Sequence, residues 1–424
     1  MRMSAFREYR SEDLYGYYIL AGDIDLTKVQ WIPVGMYFSN YETVNAPYWT
    51  YAFRGTLDGA GHKLTGLTIG NFEVDTSVFA TEGIVWRNDG SYSGSEAALF
   101  GAVAKADIRD LIIDKPTVTI PSDGDATPYA AVLAGFDIGS TLTNITVNEP
   151  AVTVTVSDAN AQSRASAWAA VSGLVAGGWS DTITGCTVTD AKIILNAETV
   201  RSHGGEFYAG SMLGEGYAFM DGNSATYELD VSVTDKSTAL SDAELIVNVG
   251  GMGGTNTTQT HGTYEGKMKV SVVKPVGAAT VSIGGLTGSQ RYQVAENNTI
   301  KAEITTDCQL DPENSKLYVG KVIGSTNIPY CIVQLIFAAP GDVAYSGCQN
   351  NVSDVTLNGE AVTAAKGQAL TVKGEALPYI ANGDLTAPAT GETYVSNISD
   401  VIAEYGSAVP ASFLQNAVIV IVDE

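Results

Sequence analysis

Gly284-Gly285-Leu286-Thr287-Gly288 decides how the chain is read, because it is one copy of a series. A short apolar block closing on glycine stands at Ala98-Leu99-Phe100-Gly101, Val132-Leu133-Ala134-Gly135 and Gly173-Leu174-Val175-Ala176-Gly177. It returns at Gly210-Ser211-Met212-Leu213-Gly214, Gly250-Gly251-Met252-Gly253 and Gly320-Lys321-Val322-Ile323-Gly324. The closing glycines, at 101, 135, 177, 214, 253, 288 and 324, are 34, 42, 37, 39, 35 and 36 residues apart. Seven evenly spaced copies mark a repeat architecture, in which each unit buries its apolar face only against its neighbours.

Outward from each block lies a segment that alternates apolar and polar residues. Ile108 to Asp114, Leu142 to Asn148 and Ile183 to Thr189 are early copies; Tyr227 to Val233, Lys267 to Val273 and Thr299 to Thr305 are later ones. Alternation of period two is a half-buried strand. A third strand follows in some copies, as at Thr117-Val118-Thr119-Ile120 and from Val152 to Val156. No period carries a helical 3.6-residue pattern, which excludes leucine-rich, ankyrin and tetratricopeptide repeats. The reading is an all-β, parallel β-helix with coils of about 36 residues, each rising about 4.8 Å. The glycine block belongs at a corner where a side chain would clash with the next coil. Asp158 to Ala167 and Arg201 to Glu206 become side loops.

The ends differ from the repeats. Residues 1–95 are expected to form an N-terminal cap and first coil, 96–350 the coils, and 351–424 a C-terminal capping or assembly region. That last region should hold a short helix from Ser396 to Gly406 and a buried final strand from Asn416 to Val422.

Composition agrees with strands and tight turns. The 424 residues include 45 glycines, only 17% are charged, and Val, Thr and Ile outweigh the strong helix formers. Lys and Arg total 23 against 47 Asp and Glu, a formal charge of −24. That balance argues against nucleic acid and against anionic membrane surfaces, and fits an exported protein kept apart from its neighbours by repulsion. No apolar run is long enough to span a membrane, and the first twenty residues lack the apolar core of a secretory leader.

A search for chemistry finds little. Cys186, Cys308, Cys331 and Cys348 form no CxxC pair; a disulfide among the last three needs coil stacking to bring two together, and small buried thiols are the alternative. His62, His203 and His261 are isolated. Asp23/Asp25 and Asp123/Asp125 are closely spaced pairs; Asp23 and Asp25 would share a strand face and could hold Ca²⁺ together, and the plainer reading is solvated charge or turn capping. There is no nucleophile elbow, P-loop or dinucleotide fingerprint, and no carboxylate cluster with a basic clamp. The expectation is no catalytic residue, no cofactor and no metal. One feature stands out: the insertion between Gly35 and Phe53 carries Tyr37, Phe38, Tyr41, Tyr48, Trp49 and Tyr51. Exposed aromatic rings there would serve partner binding, and the alternative is a cap with its own small core.

The N-terminal stretch also resembles a known family. Tyr18 to Leu26 reads YILAGDIDL, Trp31 to Gly35 reads WIPVG, and Phe53 to Ile69 reads FRGTLDGAGHKLTGLTI. With Ala98-Leu99-Phe100-Gly101 and the strand from Ile108, this is similar to the opening of GLUG-motif bacterial surface proteins, found among adhesin-like, haemagglutinin-like and IgA-peptidase-like exported chains. The resemblance implies a right-handed parallel β-helix at the bacterial surface or outside the cell, with a structural motif and no catalytic residues. Gly55, Gly59 and Gly61 would permit positive-φ turns, Asp58 would cap turn amides, and His62 would hydrogen-bond a corner. The function expected is a non-enzymatic structural or adhesive module whose partner is a glycan, a protein or another copy of itself. A carbohydrate-active β-helix enzyme and a filament or phage-fibre subunit are the alternatives.

Overall fold

A computed structural model describes residues 14–29, 31–35, 52–70, 96–122, 127–158, 167–200, 204–237 and 244–326, with short pieces at 347–349, 352–361, 370–372, 375–377 and 379–380. Among them there is no α-helix. The strands stack into a parallel β-solenoid with about 38 residues per turn. Three parallel sheets run its length, with twelve, thirteen and eight strands among the described residues; they are called here the first, second and third sheets. Each coil visits the third, the first and then the second sheet. Gly205–Gly210, Leu213–Asp221 and Ser224–Asp235 make one such coil. The second sheet shows the stacking directly: Thr187 pairs with Ser224, Ser224 with Thr263, and Thr263 with Thr299.

Alternation fills the interior. In Thr299–Leu310 every second residue is buried and every other one exposed. Coil on coil, Ile113, Val147, Val188, Ala225, Tyr264 and Ile300 occupy one interior column of paired positions. Each fully buried aliphatic side chain in such a column contributes about 1.5–3 kcal/mol. The predicted third strands are present as Thr117–Ser122 and Ala151–Ser157.

Two kinds of corner turn the chain. Between the first and second sheets a left-handed residue recurs: Asp110, Asn144, Gly185, Gly222, His261 and Asn297 have φ between 52° and 64°. Their amides point up the stack, Asp110 N to Thr143 O and Gly222 N to Thr260 O, each at 3.0 Å. Gly, Asn and Asp tolerate this conformation best, hence their recurrence. Just after it, side chains cap the previous coil. Asn223 Oδ1 accepts Cys186 N–H at 2.8 Å, and Asn298 Oδ1 accepts Gly262 N–H at 2.8 Å.

The glycine block is the other corner, from the third sheet to the first. Its critical position is column Gly101, Gly135, Ala176, Gly214, Gly254, Gly288 and Gly324, as the flanking pairs show. The closing glycine of the motif is therefore one residue off in two coils, at Gly177 and Gly253. The reason for glycine is close approach, without positive φ. A Cβ on Gly254 would lie 2.5 Å from Gly214 O of the preceding coil and 2.8 Å from Asn248 O. The same distinction corrects the N-terminal turn. Gly61 has φ 74°, but Gly55 and Gly59 are needed because a Cβ would meet Gly16 O at 2.1 Å and Asp110 O at 2.3 Å.

Strands before residue 95 join the same sheets, since Thr56–Asp58 pairs with Asp107–Arg109, and Val352–Leu357 continues the second sheet beyond residue 350. Glu206, read as the end of a loop, lies in the strand Gly205–Gly210. Cys186 is a free, buried thiol, and Cys308 is also buried, 3.0 Å from Thr306 Oγ1. Cys331, His203, Asp123, Asp125, the Ser396–Gly406 helix and the Asn416–Val422 strand lie outside the described residues. No helix among the described residues is long and apolar enough to cross a membrane.

Candidate functional site: an aromatic corner on the outside of the coils

The sequence-based site, Tyr37, Tyr41, Tyr48, Trp49 and Tyr51 with Phe38, also lies outside the described residues. The Asp23/Asp25 pair is not brought to a common ligand. Asp23 Oδ1 accepts Lys63 N–H at 3.0 Å and lies 3.3 Å from His62 Nδ1, while Asp25 Oδ1 accepts Thr27 N–H at 2.9 Å. These bonds, the backbone amides first, hold both carboxyls below the usual carboxylate range. Asp58 caps Ala60 N–H at 2.8 Å, as the motif implied. Among the described residues no three His, Cys, Asp or Glu side chains are grouped so that they could hold a metal ion.

On one outer face opposite charges are paired. On the second sheet's outer face a depression of about 320 Å³ is lined in part by Lys192, Glu228, Glu265, Lys267, Lys301 and Glu303. Lys267 pairs with Glu303 at 3.2 Å and Lys301 with Glu265 at 2.6 Å, and the Glu265 bond raises the Lys301 pKa. Exposed pairs of this kind are worth little and present no net charge to a ligand.

A different arrangement stands where the third and first sheets meet. Strands there are buried on both faces: Ala167, Ala169 and Val171 enter the main core, while Ala170 and the half-buried Trp168 turn to a second apolar cluster outside the coil. Phe207 and Ala209 against Tyr208, and Ala134 against Phe136, divide in the same way. Outward side chains from both sheets share this corner. Glycine and alanine on the first sheet leave room for rings. A Cβ on Gly177 would lie 2.5 Å from the Tyr129 ring.

The rings form a continuous line. Tyr129 and Trp168 centroids are 4.6 Å apart, Trp168 and Tyr208 5.5 Å, and Phe136 and Trp179 4.6 Å; Tyr129 meets Phe136 edge-on at 5.3 Å. Tyr129, Phe136 and Tyr208 are buried and serve as the floor, whereas Trp168 and Trp179 are half-buried and show ring surface. Tyr217, opposite Trp179 on the next coil, is also half-buried, and Phe219 beyond it is 59% exposed. Glu206 supplies the polar group. Its Oε2 accepts the Tyr208 hydroxyl in a short bond and Trp168 Nε1–H at 3.4 Å, and neither bond uses its second oxygen. Apolar ring faces beside an oriented acceptor can hold a ligand that has both apolar faces and hydroxyl donors.

None of these residues emerges from sequence reading. The available signal was an aromatic residue on one strand face before successive glycine blocks: Tyr129, Trp168 and Tyr208 precede Ala134, Val175 and Leu213 by the odd offsets five, seven and five.

No family model matches the chain, and no curated protein does. Among solved structures it is similar to a candidate immunoglobulin A1 protease from Bacteroides ovatus, with a TM-score of 0.41 and 12% identity, covering 92% of this chain and 81% of that one. A likeness of that size carries no argument about activity.

Proposed function

We propose that the chain is a non-enzymatic structural and adhesive module of a bacterial surface protein, working outside the cell, and that it binds a glycan at the aromatic corner. The observation that carries this reading is the pair Trp168 and Trp179, half-buried over a buried aromatic floor, with the Glu206 carboxylate beside Trp168. A sugar offers a C–H face to a ring and hydroxyls to a carboxylate. A stack of hydrogen-bonded coils holds those rings in place, so little ordering entropy opposes binding. The charge of −24 makes a neutral or cationic glycan the better match. The loop of Tyr37, Tyr41, Tyr48, Trp49 and Tyr51 belongs to the same proposal as a second contact segment.

A glycan array on the whole chain tests this. Binding is expected, and Trp168→Ala with Trp179→Ala should weaken it about tenfold or more, the scale of lost central anchors. Glu206→Gln should weaken it less and leave the melting temperature nearly unchanged. If the double Trp variant binds equally well but melts below the parent, the corner is only a packed satellite core. Turnover of a polysaccharide would replace the adhesive reading with a carbohydrate-active enzyme. Replacing Tyr48, Trp49 and Tyr51 together by alanine separates the loop's share from the corner's.

A further inference from the structure

Directly behind the aromatic corner, two carboxyls are sealed inside the coil. Asp137 stands between Phe136 and Ile138, which face the corner, and is completely buried. One coil on, the residue opposite Asp137 is Gly178. Asp181 follows three residues later and is also completely buried. The register shifts between Trp179 and Asp181, where Ser180 takes φ 62°. A Cβ on Gly178 would come within 2.5 Å of Asp181 Oδ2, so the absent side chain makes the space for the second carboxyl.

These groups sit at a bend repeated over three coils by the left-handed residues Lys105, Gly139 and Ser180. Ser140 Oγ accepts Ala106 N–H at 3.1 Å, and Asp181 Oδ1 accepts Ser140 N–H at 3.2 Å, so each side chain ties the bend to the coil before it. The other three carboxylate oxygens, both of Asp137 and Oδ2 of Asp181, are buried without a well-formed hydrogen bond, and the weak approach of the Ser140 side chain and the Ile138 amide to Asp137 opposes the burial only in part. Among the described residues no ion pair reaches either carboxylate. The charged groups on the elements packed around them are the buried Glu96, on the strand against Asp137's own, and Lys105, Asp107, Arg109, Glu215 and Asp221, all with exposed or part-exposed side chains. Two unpaired carboxylates cannot both stay ionised in such a place, but one proton between them turns a repulsion into a hydrogen bond.

We propose that Asp137 and Asp181 hold a shared proton at neutral pH, and that losing it loosens the bend under Trp179 and with it the contact corner. The proton half stands on the buried pair alone; the contact half rests on the function proposed above. Burial, and next the Asp181 charge, push Asp137 well up. Burial pushes Asp181 up to about 7, against the opposing amides of Ser140 and Gly139. Both carboxyls thus hold protons more tightly folded than unfolded. Their contribution to stability is full below the ordinary aspartate range and is lost as pH rises through about 7.

Difference infrared spectra of the whole chain should show the carbonyl band of a protonated carboxylic acid at about pH 6, fading at higher pH and absent from the near-isosteric Asp137→Asn with Asp181→Asn variant. The urea midpoint of the parent should fall between about pH 5 and pH 9 more steeply than that of the double variant, and tryptophan fluorescence should shift over the same range. A parent with no such band, or with the same pH slope as the double variant, overturns the proposal. So does a midpoint that drops on adding chelator, since the pair would then hold a cation. If the double variant does not fold, the infrared titration of the parent decides alone. Unchanged fluorescence while the band titrates overturns the coupling to the corner; the fluorescence readout needs no ligand, so failure of the glycan reading is distinguishable.

Discussion

Gly288→Ala is expected to destabilise the solenoid by about 3 kcal/mol, the upper end for overpacking. A Cβ at that position would lie 2.5 Å from Val249 N, 2.8 Å from Gly254 O and 2.9 Å from Asn248 C. All three atoms are backbone, held in strands paired to the coils on either side, so no rotamer change relieves the clash. Gly222→Ala makes the control. Gly222 has φ 63°, and no atom lies within 4 Å of the place a Cβ would take, so the cost is only that of a left-handed alanine, about 1 kcal/mol. Gly222→Asn should cost less still, because Asn144 and Asn297 occupy the same corner in other coils. Urea unfolding of the three variants checks the order. Equal losses for the two alanine variants would mean that dihedral freedom, and not close approach, explains the glycine block.

The second large effect is expected at Lys274. Its side chain is 2% exposed and its Nζ lies 2.5 Å from Oδ2 of the fully buried Asp235, with Ser237 Oγ at 3.2 Å. The pair belongs to a polar column at the end of the second sheet's strands. Thr199 sits opposite Asp235 and donates its hydroxyl to Asp158 Oδ2 at 3.1 Å; Lys274 is followed by Leu310. Lys274→Met leaves the Asp235 charge buried without its cation, which costs about 3–5 kcal/mol. Lys274→Met combined with Asp235→Leu removes both charges and should recover most of that loss. A double variant as unstable as the sum of the two single ones would show that packing around the lysine stem, and not the unpaired charge, sets the cost.

The polar column shows what linear reading misses. Lys274 falls on the inward phase of its strand, after Met268, Val270 and Val272 and unlike the outward Lys267 and Lys269, but a lysine at a strand end reads as turning to solvent. Its burial depends on Asp235 in the preceding coil, 39 residues away. Asp137 and Asp181, 44 residues apart, read in the same way as ordinary surface acids. In both cases the partner lies one coil off, where no local pattern records it. The glycine blocks were legible because their period is linear in sequence, yet the motif misplaced the critical residue at Gly177 and Gly253. Which residue opposes which is fixed by strand pairing, and bulges such as that between Trp179 and Asp181 shift it.

The sequence by itself determined the coil. Period-two alternation, evenly spaced glycine blocks and Asn, Asp or Gly at the corners leave a stack of parallel strands as the arrangement that buries every apolar face. Only the tertiary structure decided that outward side chains of the third and first sheets share one apolar cluster, where Tyr129, Trp168 and Tyr208 gather instead of dispersing into solvent. The physical reason is strand pairing, which stacks Tyr129, Ala170 and Tyr208 coil upon coil, and close approach, since the bare backbone of Gly177 leaves the space that the Tyr129 ring fills.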